Sequence, residues 1–190
     1  MKFSNLSFLE SVQLQTRMFV FGLADKIKLY FYTIPKNWII CKRYPFLRIL
    51  SDVHPYWAGR YHKIWIDMLP IGWEKRFGWK LVRDIDKWLR AHPDISDYYI
   101  KEVKEKFGML CWYDNAPEDL KNIIDNYIYI SKHVCVECGA NADFISTGYV
   151  LPYCNKCAER IRDERGTDFK SAHFLKKYPG RKKFNYKKTD

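Results

Sequence analysis

The sequence predicts an α+β fold: helices packed on a small β-hairpin or sheet, then a cysteine-rich C-terminal module and a basic tail. Three observations predict it. Apolar residues recur at helical spacing in two stretches, 79–92 and 117–130, each with a charged opposite face. Between them, Leu110-Cys111-Trp112-Tyr113 reads as a buried strand following a turn at Gly108. Beyond them stand two Cys-x-x-Cys pairs, Cys135/Cys138 and Cys154/Cys157, with fifteen residues between Cys138 and Cys154.

In chain order, residues 1–50 come first. Phe8, Leu9, Val12, Phe19, Leu23 and Ile27 recur near helical spacing and predict an amphipathic helix from about Ser7 to Tyr30. The longest apolar run, Met18 to Ala24, is interrupted by Gly22 and falls far short of the roughly 20 residues of a membrane span. With no cleavable signal apparent either, a cytoplasmic location is the expectation. A basic amphipathic helix can lie on a membrane, although packing on the core is the more usual fate. Pro35 and Pro45 punctuate the next stretch, with Trp38-Ile39-Ile40-Cys41 as a short apolar segment between them.

The stretch from Asp52 to Gly78 is dense in turns and aromatics, and includes His54 and His62. Neither histidine has an acid, a nucleophile or a third ligand at a recognisable offset, so no catalytic residue is assigned. From Trp79 to His92, Val82, Ile85, Trp88 and Leu89 form one stripe, and Pro93 ends the helix. Periodicity leaves 98–113 open: Ile100, Val103 and Phe107 fit a helix, and Leu110 to Tyr113 fit a strand. Pro117 opens the next helix, Asp119 sits in its acidic first turn, and Leu120, Ile123, Ile124, Tyr127 and Ile130 make its stripe.

The doubled Cys-x-x-Cys spacing points to structural zinc. Each pair sits on a tight turn that aims two thiolates at one point, and two turns supply four soft ligands. Two disulfides belong to secreted chains, and a redox pair needs a thioredoxin-like context. Gly139 follows the first pair where the chain needs positive φ. Phe144-Ile145-Ser146 and Tyr149-Val150-Leu151 read as a hairpin turning at Thr147-Gly148. The second pair leads into a polar helix, Ala158 to Glu164, ending near Gly166. Knuckle, hairpin and helix in that order predict a treble-clef-like four-cysteine zinc module in which Cys135, Cys138, Cys154 and Cys157 hold Zn²⁺. Four thiolates leave no open coordination position, so the metal is expected to fold the chain and not to do chemistry. Lys132, Lys156, Arg160 and Arg162 lie close enough in sequence to offset the charge of such a centre.

Lys104-Glu105-Lys106-Phe107-Gly108, a strand ending in Trp112-Tyr113, a helix and then the paired cysteines together resemble a group of small uncharacterised proteins of bacteria and their phages. In that group a KEKFG-type hairpin precedes the four-cysteine module. The likeness covers roughly residues 73–160 and implies the two-strand reading of 98–113. In the group's pattern a Gly and an Arg commonly follow the Phe-Gly; here Met109 and Cys111 stand there. Cys41 and Cys111, the two remaining thiols, are expected to be buried and inert. The organisation expected is therefore an aromatic-rich helical region over 1–72, an α+β core over 73–133, the zinc module over 134–166 and a flexible tail over 167–190.

Charge bears on partners. Residues 1–50 hold 8 Lys/Arg against 2 Asp/Glu, residues 51–164 hold 16 against 18, and residues 165–190 hold 9 against 2. Two basic ends around a near-neutral middle mark a polyanion partner. The tail interleaves cations with rings: Lys176, Lys177, Tyr178, Arg181, Lys182, Lys183, Phe184, Lys187 and Lys188. Together with Lys156 and Arg160 these are the expected nucleic-acid contacts, cations neutralising phosphates and rings stacking on bases. The reading is a non-enzymatic, zinc-stabilised nucleic-acid-binding protein. The alternative is a phage-encoded factor that binds and inhibits or redirects a host complex, such as a defence system, with no small-molecule substrate in either reading. A nuclease is disfavoured: no two-carboxylate metal site, nucleophile–His pair or Gly-rich phosphate loop is legible.

Overall fold

The computed structural model describes residues 23–25, 28–49 and 63–171. Most of the helix expected over Ser7–Tyr30, His54 and His62, and every expected tail contact from Lys176 to Lys188 lie outside those residues. The chain divides into two compact units, one ending at Ile64 and the other starting at Trp65.

In the first unit a π turn, Leu29–Thr33, runs directly into helix α1, Ile34–Arg43. Pro35 does not break this path. It stands at the start of α1 directly after the wide turn, which gives the ring room where a regular helical turn would clash. Lys42 and Arg43 occupy the last turn, where cations suit the helix dipole. A 3₁₀ turn, Pro45–Leu47, follows, with Phe46 and Leu47 buried. Arg48 then bridges Ile64 antiparallel.

The second unit is built on two helices and a hairpin. A helical turn, Ile71–Trp73, and a π turn, Glu74–Gly78, lead without interruption into α2, Trp79–Ala91. The core face takes Trp73, Phe77, Leu81, Val82 and Ile85, whereas Trp88 and Leu89 of the expected stripe are only half-buried. The helical start is therefore earlier than the sequence suggests, and the buried stripe is displaced with it. Strands β1, Ile100–Lys106, and β2, Met109–Asp114, pair antiparallel through a two-residue turn at Phe107-Gly108. Both turn residues have positive φ, 53° and 73°, which matches the right-handed twist of the strands. Val103 and Trp112 face each other on the buried side, and Leu110 is fully buried. Alternation then turns Cys111 outward, so this thiol is half-exposed and not buried as expected.

Helix α3, Glu118–Ser131, begins after Pro117 with Glu118 and Asp119 in its first turn. Leu120, Ile124 and Tyr127 are buried, while Ile130 emerges into solvent and Ser131 takes the inward position. The Ser131 hydroxyl accepts from the Leu110 amide at 2.8 Å and donates to the Ile128 carbonyl at 2.7 Å, tying α3 to β2. Helices α2 and α3 are joined by a polar latch: Lys80 donates to Asp84 at 2.8 Å and to the Tyr127 hydroxyl at 3.0 Å, and Tyr127 donates to Asp84.

A three-stranded sheet closes the unit in the order β4-β3-β5, with β3 Phe144–Ser146, β4 Pro152–Tyr153 and β5 Phe169–Ser171. The expected hairpin partner, Tyr149 to Leu151, is not a strand. Ser146 Oγ donates to the Tyr149 carbonyl at 2.6 Å and accepts from the Leu151 amide at 3.0 Å. These bonds round 147–151 into a loop and move pairing to Phe144↔Tyr153 and Ile145↔Pro152. Helix α4, Asn155–Arg165, ends at left-handed Gly166, and the chain then returns as β5 beside β3. Phe169, at the start of the expected tail, packs edge-on against Tyr153 with centroids 5.4 Å apart.

Candidate metal centre

The four cysteines are brought to one place by two different backbone devices. The first pair sits on a knuckle after α3. Val134 bridges Asn141, the Cys135 amide donates to the Ala140 carbonyl at 2.8 Å, and the Gly139 amide donates to the Cys135 carbonyl at 3.0 Å. Gly139 has φ +83°, as its place after the pair predicts. The second pair straddles a helix start: Cys154 is the N-cap of α4 and Cys157 lies in its first turn. Helix N-termini favour anionic sulfur, because their free amides and aligned dipoles point outward.

The sulfurs of Cys135, Cys138, Cys154 and Cys157 all lie within 4.8 Å of one another. A tetrahedral zinc with bonds of about 2.3 Å to sulfur needs its ligands ~3.8 Å apart, and Cys138 and Cys154 stand at 3.6 Å. That separation is far too long for a disulfide, which needs about 2.05 Å. The donor set and its spacing therefore fit zinc, with Cys135, Cys154 and Cys157 buried and Cys138 at the surface.

The local chemistry is uneven. The Ala140 amide donates to the Cys138 sulfur and holds that thiol below its ordinary pKa. Burial pushes the Cys154 and Cys157 thiols up, although the Cys157 amide donates a hydrogen bond to the Cys154 sulfur that opposes the shift there. A metal held by these four sulfurs would take them as thiolates, displacing their protons. Beside the cage, Arg160 donates to Glu137 and to Glu164, both at 3.0 Å. Its exposed guanidinium thus links the knuckle to its own helix. Lys156 is exposed on α4, and Arg162 lies over the Phe169 ring at 5.6 Å.

The knuckle is seated on the core by residues that sequence patterns do not single out. The Gly72 amide donates to the Val136 carbonyl at 2.8 Å, and the buried Trp73 indole donates to the Val134 carbonyl at 2.9 Å. A methyl group on Gly72 would meet the Cys135 carbonyl oxygen at 2.1 Å and the Gly139 nitrogen at 2.7 Å. Two glycines, one on each partner, thus let the Ile71–Trp73 turn and the knuckle touch backbone to backbone. The sequence holds one clue, a glycine beside a tryptophan in a helical turn, but nothing in it names the partner.

No protein-family model, curated protein or solved structure matches this chain.

Proposed function

We propose that this is a non-enzymatic, zinc-stabilised protein that binds nucleic acid through its phosphate backbone, with the four-cysteine module as a rigid base. The observation that carries this reading is where the most basic stretch of the chain begins. Residues 172–190 hold 7 Lys/Arg against 1 Asp/Glu and follow directly on β5, which is paired to β3 of the module. The order of knuckle, paired strands and helix supports a treble-clef-like arrangement. Four sulfurs fill the four positions of tetrahedral zinc, which supports a structural and not a catalytic metal. Lys156 adds an exposed cation on α4, and Arg160, exposed on the same helix, also pairs with Glu137 and Glu164.

Fluorescence anisotropy on random-sequence duplex across a salt series tests the reading. Binding should weaken steeply with salt, and deleting 172–190 should cut affinity roughly tenfold or more and flatten the slope by several contacts at about 0.9 each. Lys156→Ala should remove about one contact. A truncated protein that binds as tightly as the full chain, or binding indifferent to salt, defeats the proposal.

A second reading, a factor that occupies a host protein complex, is supported by one feature. Phe107, 75% exposed, is held at positive φ on the hairpin tip, a costly place to display a bulky ring. The likeness of the KEKFG stretch to phage and bacterial proteins is compatible with it. A single host protein retained on immobilised protein after nuclease treatment, and lost on Phe107→Asn, favours this reading over the first.

A further inference from the structure

We propose that the outward face of α1, with the π turn before it, docks on an anionic lipid bilayer and lies in its surface plane. This helix exposes large apolar side chains while burying a polar one: Asn37 is fully buried, whereas Phe31 is 82% exposed and Ile39 62% exposed. Tyr32 and Trp38 join them, so that the apolar side chains fall at helical spacing along one exposed strip. Phe31, Trp38 and Ile39 would lose solvent contact in an interface; in water they gain nothing.

Charge identifies the occupant. From Lys26 to Ile49 the sequence holds six Lys/Arg and no Asp/Glu. Lys28 and Lys42 are exposed and Lys36 is half-buried, and none of them enters an ion pair among the described residues. The Lys42 ammonium sits 3.7 Å from the centroid of the Trp38 ring, so cation and aromatic are presented together. Interfacial helices combine these features: Phe and Ile enter the acyl boundary, Trp and Tyr rest at headgroup level, and lysines meet anionic headgroups. A nucleic acid would use the cations and stack on the rings, but a branched aliphatic such as Ile39 in the middle of the strip offers it nothing. No helix among the described residues is long and apolar enough to cross a membrane, so the contact is with the surface only. The helical path from Lys28 to Arg43 spans about 24 Å, enough for several headgroups.

The basic tail would also attract anionic vesicles, and the test must separate the two. Full-length zinc-loaded protein is sedimented with phosphatidylcholine vesicles and with vesicles a third of whose lipids are phosphatidylglycerol. The wild type should sediment with the anionic vesicles, and the charge-neutral double variant Phe31→Ser/Ile39→Asn should lose roughly tenfold or more in affinity. Both side chains are exposed, so zinc content and circular dichroism should be unchanged. Independently of that variant, bilayers of brominated lipid should quench wild-type tryptophan fluorescence on binding, and Trp38→Phe should abolish most of the quenching. Equal sedimentation of wild type and double variant, no sedimentation of either, or quenching indifferent to Trp38→Phe overturns the proposal. So does a double variant that loses duplex binding while keeping vesicle binding, which would give the face to nucleic acid.

Discussion

Gly72 shows how much one missing atom can decide. Its amide holds Val136, and its bare Cα lies against the Cys135 carbonyl and the Gly139 nitrogen. Both obstructions to a side chain are backbone, and neither can swing aside. Gly72→Ala is therefore expected to push the knuckle off the helical turn, costing about 3 kcal/mol in urea unfolding of the zinc-loaded protein. A midpoint unchanged from wild type would mean that the two segments do not touch in this way. Phe107 carries the opposite expectation. A bulky residue at positive φ pays a conformational penalty that Asn largely avoids in this kind of turn. Phe107→Asn should raise stability by about 1 kcal/mol, read as a higher urea midpoint at unchanged slope. A lower midpoint would show the ring contributing to the fold. The sequence shows Phe107-Gly108 and Gly139 as turn positions, since glycine and its neighbour mark them locally. Gly72 escapes such reading because its reason lies more than sixty residues away.

At the scale of elements, the legible parts are those with a strong local pattern. Helices α2 and α3, the Cys-x-x-Cys knuckle and the helix ending at Gly166 follow from spacing alone, although Trp88, Leu89 and Ile130 of the expected stripes are not part of the buried face. The hairpin of β1 and β2 does not, because Ile100, Val103 and Phe107 satisfy a helical period as well as they satisfy a strand. Only pairing against Leu110 and Trp112 decides between them. The β3–β4 connection differs from its sequence expectation for a related reason: the hydroxyl of Ser146 rounds the chain into a loop that hydropathy does not register. The latch between α2 and α3 yields a pH prediction. Burial first, then the bond to Asp84, pushes the Tyr127 pKa from 10.0 up to about 12. Between those values the folded protein keeps a proton that the unfolded chain has released, so this contribution is complete below pH 10 and is lost as pH rises towards 12. Tyr98, buried beside Asp114, is raised in the same direction, so the difference between proteins is the readout. Urea midpoints measured at about pH 9 and about pH 11 should fall less for Tyr127→Phe than for wild type. An equal fall in both would remove Tyr127 from the alkaline transition.

For the whole molecule the question is how far the influence of the metal centre extends. Between Val134 and Ser171 the buried apolar side chains are few, chiefly Val134, Val136, Tyr153, Ala158 and Ile161, around three very short strands. So small a core does not hold a fold by itself, and a metal held at the four sulfurs would supply what it lacks. The module is also coupled to the rest of its unit: the fully buried Trp73 donates its indole N–H to the Val134 carbonyl, and the Gly72 amide donates to the Val136 carbonyl. Losing the metal should therefore unfold 134–171 and loosen the wall around Trp73, without dissolving the α2–α3 pair and its hairpin. Elemental analysis of gently purified protein should find about one zinc per chain. Chelation, or Cys154→Ser, should leave the melt of the α2–α3 core as a separate transition and expose the 134–171 backbone to hydrogen exchange. Near-zero metal, or exchange protection over 134–171 that survives complete zinc removal, would show that packing alone holds the module, and the rigid base proposed for the basic segment would need another origin.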